Sequence, residues 1–175
     1  MASPRHFTRP ALRQALLSPY TEPIPAKPAH ALPGSPVKSN ALIPPQRLID
    51  TLQSARRNST VVAGLLTSPR CPWCIALIKE QLEPRVRSDQ MPRLLIVEFN
   101  VDDPAEFLLP GGQRSNARQW GDTYGLKLTP TVAMLDQMAR PLLAPLKGYA
   151  SRDFYGAYLE EQITTANNYW QNLRS

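Results

Sequence analysis

The sequence predicts an α/β domain in which helices flank a central mixed sheet of four to five strands, preceded by an extended Pro-rich tail. Three observations point there. The run Thr60-Val61-Val62-Ala63-Gly64-Leu65-Leu66 is apolar without alternation, as in a strand buried on both faces. Cys71-Pro72-Trp73-Cys74 follows it directly and opens a helix-like stretch. Beyond that point, apolar runs and amphipathic stretches alternate to the end of the chain.

The elements follow in order. Pro44-Pro45 marks a boundary, and Gln46 to Arg57 reads as a helix, with Leu48, Ile49 and Leu52 at helical spacing and Pro45 near its first position. Asn58-Ser59 ends it, and Thr60 to Thr67 is the first strand. Ser68-Pro69-Arg70 turns the chain. The helix from Cys71 carries a stripe of Ile75, Ile78 and Leu82, leaves Lys79 and Glu80 to water, and is ended or kinked by Pro84. Arg93 to Asn100 is the second strand. A long connection with a flexible Gly111-Gly112 leads to a short helix over Ser115 to Tyr124, capped by Ser115 or Asn116. Thr131 to Leu135 and Leu142 to Leu146 are the third and fourth strands, broken off by Gly148. Ser151 caps a last helix through about Asn172, which buries Tyr155, Leu159, Ile163 and Trp170. No internal repeat is visible.

At 175 residues, with 42% apolar composition, the chain suffices for one domain plus extra length. Ten of the 19 prolines lie in residues 1–45, where five basic residues face one acid, Glu22. That segment therefore carries about four of the six net positive charges, and the rest of the chain is close to balanced. The high pI is a tail property, and no Lys/Arg stripe with interleaved aromatics points to nucleic acid. Residues 1–42 read as a disordered or processed leader, with a helical turn or two at Leu12 to Leu17, and 43–175 as the folded domain. No stretch of 18 apolar residues is present. Arg5, Arg9 and Arg13 supply the basic start of a secretory signal and Ala29-His30-Ala31 mimics its cleavage site, but the apolar run between them is short and interrupted. The same start suits a transit peptide or a misplaced start codon.

Cys71 and Cys74 are the only cysteines. Two thiols three apart at a strand-to-helix junction suit disulfide exchange, which needs a thiolate nucleophile and a second thiol to resolve the mixed disulfide. Cys71 lies where orphan N–H groups and the helix dipole favour negative charge, and Arg70 adds a positive neighbour. Both lower the expected pKa below the free value of about 8.5. Cys74, one turn on, is expected to be buried and to resolve. Pro72 stiffens the loop and Trp73 offers an apolar docking surface. Pro130, if cis, brings Thr129 opposite Cys71, where its backbone can pair with an extended substrate. A trans bond would leave an ordinary strand-start proline.

These motifs together resemble the thioredoxin family. Thr129-Pro130-Thr131 stands where that family carries its cis-proline, after a Tyr124-Gly125-Leu126 lead-in. Val101-Asp102-Asp103 matches the family's acidic exit from the second strand, and Gly148 its glycine facing the active site. The resemblance covers roughly residues 44–173. It implies a thiol–disulfide oxidoreductase acting on protein disulfides, without a cofactor or metal, as a monomer, with client proteins as partners and no nucleic acid. More narrowly, Cys-Pro-Trp-Cys with Thr129-Pro130-Thr131 and the ending Gly148-Tyr149-Ala150-Ser151-Arg152-Asp153-Phe154-Tyr155 looks like the small periplasmic thioredoxin-like proteins of bacterial thiosulfate-oxidation (Sox) operons. That likeness implies a periplasmic location and a membrane thiol–disulfide electron donor; a cytoplasmic location is the alternative. One departure stands out. Thioredoxin has a buried aspartate six residues before its first cysteine, and Leu65 is there instead. Either another group, Glu80 or water, does the aspartate's work, or the protein is a poor reductant.

Rival readings stay open at this point. A structural disulfide closing two residues constrains little chain entropy. A redox-responsive adaptor or copper carrier would use both thiolates, but His6 and His30 both lie in the tail. A glutathione-dependent, glutaredoxin-like enzyme would carry a Gly-Gly-Asp contact that is not visible. Asp102-Asp103 reads as a loop and cap. Trp120, Tyr124 and Trp170 read as core. Phe107-Leu108-Leu109 reads as a loop anchor ahead of a docking patch.

Overall fold

The first element is a short strand that the sequence pattern does not announce. In the computed structural model, which describes residues 41–88, 90–150 and 152–173, β1 (Leu42–Ile43) runs parallel to β3 (Leu94–Asn100). Residues 1–40 of the expected leader, with its Leu12–Leu17 turn, and the cap expected of Ser151 lie outside the described residues, whereas Leu42, expected in the leader, belongs to β1. A single 3-10 turn (Pro45–Arg47) leads into α1 (Leu48–Asn58), which buries Leu48, Thr51, Leu52 and Ala55. Ser59, in the left-handed conformation at φ 49°, ends the helix and turns the chain into the sheet.

Strand β2 (Val61–Thr67) is buried at all seven positions. It pairs with β3 in parallel from Val61↔Leu94 to Thr67↔Asn100, and with β6 (Thr131–Met134) antiparallel. The last strand, β7 (Leu146–Lys147), completes a mixed five-stranded sheet of order β1-β3-β2-β6-β7. Burial on both faces explains the unbroken apolar run in β2. On one face, a side chain at Gly64 would come 2.8 Å from Phe99 and 3.2 Å from Trp120, so only glycine leaves room for the stacked Phe99–Trp120 pair. Trp120, on α4 (Ala117–Thr123), is fully buried, and its Nε1–H donates to the Ala139 carbonyl at 3.0 Å. The other face is covered by α5 (Arg152–Asn172), which buries Tyr155, Leu159, Ile163, Ala166 and Trp170.

Three expectations need correction. Of the two outcomes expected at Pro84, an end or a kink, the helix does not end there. It runs as α2 (Pro72–Leu77), widens into a π-helical turn (Ile78–Leu82), and continues as α3 (Glu83–Arg87). The Glu83 N–H reaches back five residues to the Ile78 carbonyl. The wider turn lets the chain pass a proline that has no N–H to donate. The buried residues are Leu77, Ile78 and Leu82, while Ile75, expected on the stripe, is only half-buried. The fourth strand is displaced from the expected Leu142–Leu146, because Pro141 and Pro145 cannot donate ladder bonds. Before β7 the chain makes an isolated Leu135↔Pro141 bridge, closed by the Leu142 N–H on the Met134 carbonyl (2.7 Å) and the Asp136 N–H on the Arg140 carbonyl (2.9 Å). Finally, the long connection holds a small hairpin, β4 (Phe107–Leu108) with β5 (Arg114–Ser115), turned by Gly111 and Gly112. It buries Phe107 and leaves Leu108 exposed. Asn116 caps α4 through a reciprocal capping box with Gln119.

One charged side chain ties α3 to α5. Arg85 is buried, with its Nε 2.6 Å from Glu160 Oε1, and its other nitrogens donate to the carbonyls of Pro92 (2.8 Å) and Gln90 (3.3 Å). Replacing it leaves both carbonyls without their donor, whereas Glu160 is half-exposed and can return to water. Arg85→Met should therefore lower unfolding stability by about 2 kcal/mol and Glu160→Gln by about half that or less, as read by urea denaturation. Equal losses for the two variants would contradict the clamp.

Candidate active site

Cys71 is the N-cap of α2, in extended conformation at φ −96°. The chain reaches it from the end of β2 through Ser68-Pro69-Arg70, where the Cys71 N–H closes a turn onto the Ser68 carbonyl at 3.1 Å. Asp102, just past β3, holds this turn: it accepts from the Ser68 hydroxyl at 2.7 Å and pairs with Arg70 (3.7 Å) and Arg118 (3.6 Å). The expected loop-and-cap role of Asp102 is thus a latch on the cysteine turn. Arg70, the residue before Cys71, is 86% exposed and pairs with Asp102.

The two thiols are free and differently placed. Cys71 is half-buried and Cys74 only 2% exposed. The Cys74 N–H donates to Cys71 Sγ at 3.2 Å, the side-chain cap of this helix start. Burial pushes the Cys74 thiol up to about 12, and its contact with Cys71 acts the same way. The Ser68 backbone and Thr129 offset part of that rise. A thiol that resists ionisation attacks only once a disulfide is formed beside it, which suits a resolving cysteine.

Across from Cys71, Thr129–Pro130 is a cis peptide. Cys71 Sγ donates to the Thr129 carbonyl at 3.6 Å. Pro130 is buried, Thr129 half-buried, and the Thr129 N–H has no backbone partner among the described residues. The Pro130 carbonyl accepts from the Gly148 N–H at 2.8 Å, which brings the loop after β7 alongside. Trp73 is 53% exposed beside the thiols, and Pro72 is exposed too. Among the described residues no group of three or more His, Cys, Asp or Glu could hold a metal ion.

Leu65 is fully buried, so no acid stands six residues before Cys71. Glu80 does not replace it: it is exposed on the π-turn, and the Tyr149 hydroxyl donates to its carboxylate at 2.9 Å. The acid nearest in register is Glu98, directly opposite Leu65 on β3. Thr67 donates to its Oε1 at 2.9 Å, and burial raises its pKa while that bond lowers it. Sequence reasoning missed Glu98, although an acid ending the run Leu94-Leu95-Ile96-Val97 was a signal. Its folded-state pKa lies above the unfolded value. Its contribution to stability is therefore full below the unfolded pKa and is lost as pH rises through the folded one. Glu98→Gln, which keeps an acceptor for Thr67, should gain stability relative to wild type between about pH 4 and about pH 8. Urea unfolding at both values checks it, and a difference that does not change with pH would contradict the placement.

Comparison with known proteins agrees with this architecture. A family model described as a thioredoxin-like domain matches residues 48–163. The sequence matches none of the curated proteins significantly. Among solved structures, a thioredoxin from Nicotiana alata superposes with a TM-score of 0.50 at 14% identity, covering 76% of this chain and 98% of that one. A poplar thioredoxin h gives 0.49 at 18% identity, covering 71% and 95%. A thioredoxin-fold protein from Helicobacter pylori gives 0.44 at 15%, covering 79% and 93%. With the family model spanning most of the sheet and the cysteine turn, the chain belongs to the thioredoxin-like domain family.

Proposed function

We propose that this protein is a thiol–disulfide oxidoreductase that acts on protein disulfides through Cys71 and Cys74. The Cys71 thiolate attacks one sulfur of a client disulfide. A Cys71–client mixed disulfide forms and the other client sulfur leaves as a thiolate. Cys74 then loses its proton and attacks Cys71 Sγ. The second client thiol departs and the Cys71–Cys74 disulfide closes, so two electrons have passed to the client. A dithiol donor restores the reduced pair, and the same steps in reverse would oxidise a client.

The observation that carries this reading is the asymmetry of the two thiols. One is half-exposed at a helix start, 3.6 Å from the Thr129 carbonyl, and the other is buried one turn on. The open Thr129 N–H and carbonyl supply an edge on which an extended client segment can form strand-like bonds. The likeness of Gly148–Tyr155 to the Sox-operon proteins supports a periplasmic setting with a membrane thiol donor. Fractionation of the native host tests that setting.

The roles are tested by trapping. Cys74→Ala incubated with oxidised client protein should accumulate mixed disulfides through Cys71, seen by mass spectrometry as adducts released by reductant. Cys71→Ala should give at most about a tenth as much, because its remaining thiol is buried and stays protonated. Equal or greater trapping by Cys71→Ala would reverse the assignment.

A further inference from the structure

The surface around Cys71 is apolar at its centre and positive at its edge. Trp73 and Leu128 are each 53% exposed. The Leu128 side chain lies 3.7 Å from where a side chain on Gly148 would begin, so the cis-proline segment and the loop after β7 meet there. Two lysines flank this junction. Lys127 stands two residues before Thr129, and Lys147 stands opposite Thr131 in the β6–β7 ladder, one residue before Gly148. Both are exposed, and neither has an ion-pair partner among the described residues. Among the neighbouring charges Lys79, on the π-turn, is also exposed and without an ion-pair partner among the described residues, and others are engaged or sit on other elements. Arg70 and Arg118 share Asp102, Glu80 holds the Tyr149 hydroxyl, and Asp153 lies in the first turn of α5.

We propose that Lys127 and Lys147 select client segments that carry acidic residues within two or three positions of the reactive cysteine. The inference rests on the disulfide exchange proposed above and names its preferred client. A client strand laid along Thr129 advances about 3.3 Å per residue and alternates its side chains. Lys127 precedes the bend Leu128–Pro130 that carries Thr129, and Lys147 lies on β7 opposite Thr131, so the two bracket the segment on which the client would lie. Trp73 and Leu128 cover the apolar residues between. Unpaired cations at a rim act chiefly on the encounter rate, so the preference should appear in kcat/KM and weaken with salt.

The test uses three disulfide-linked peptides of one sequence, flanked by Asp, Asn or Lys. Each rate is divided by the rate of the same peptide with a small uncharged phosphine reductant. The wild-type protein should reduce the Asp-flanked peptide about fivefold faster than the Asn-flanked one, and the Lys-flanked one slower still. Raising salt from about 0.02 M to about 0.5 M should remove most of the gap. Lys127→Glu with Lys147→Glu should reverse the order. The inference is overturned if the wild-type ratio stays within twofold of one, or if the double variant keeps the wild-type order. If no peptide is reduced by any form of the protein, the exchange reading falls and takes the inference with it.

Discussion

The pairing of β2 with β6 is the constraint on which the rest of the site depends. Leu66 lies opposite Thr131, and Leu65 opposite Val132. That register puts the residue after the cis-proline next to the end of β2, five residues before Cys71. It is a long-range contact between two wholly buried strands, so a slip by one residue would turn an apolar set toward the wrong face. Gly64 in the middle of β2 and the Phe99–Trp120 stack against it pin the sheet from one side. The Thr129 carbonyl then meets Cys71 Sγ without any side chain having to reach for it.

Given that frame, the chemistry follows from where each thiol sits on its helix. A capping position leaves Cys71 half-buried with its Sγ accepting the Cys74 N–H, while one turn further in Cys74 is almost fully buried. The turn between strand and helix is held from outside by Asp102, through Ser68, Arg70 and Arg118. Leu65 leaves no acid on β2, and the residue opposite it on the neighbouring strand is the half-buried Glu98, which accepts from Thr67. Thr67 precedes Ser68, so the carboxyl supports the start of the turn that carries Cys71. The π-turn shapes the far side, aiming Glu80 at Tyr149 in the loop that lies beside the cis-proline.

Much of this was legible in the sequence because its determinants are local. An apolar run without alternation reads as a strand buried on both sides, and the β2 burial pattern agrees. Tyr155, Leu159, Ile163 and Trp170 repeat at helical spacing, and all four are buried in α5. The two cysteines and Thr129-Pro130 are short motifs, readable one at a time. What was not legible depends on partners far apart in the chain or on missing donors. Leu42–Ile43 is too short to signal a strand and becomes one only by docking on Ile96 and Val97. Pro84 marks trouble in a helix, but whether the helix ends or widens is decided by packing of Leu77 and Leu82. The place of Glu98 needs the β2–β3 register, which no local pattern contains. That Arg70 pairs with Asp102, a partner far away in the chain, is likewise invisible in the local sequence.

The central claim is that Cys71 and Cys74 form one exchangeable dithiol. Its most direct test is equilibration of the full chain in a series of glutathione redox buffers, with the thiol state trapped by alkylation and read by mass. A single two-electron transition to an intramolecular Cys71–Cys74 disulfide, with a midpoint between roughly −120 and −270 mV, is the expected result. Two thiols that stay reduced across the series, or a glutathione adduct on Cys71 that never closes onto Cys74, would contradict it.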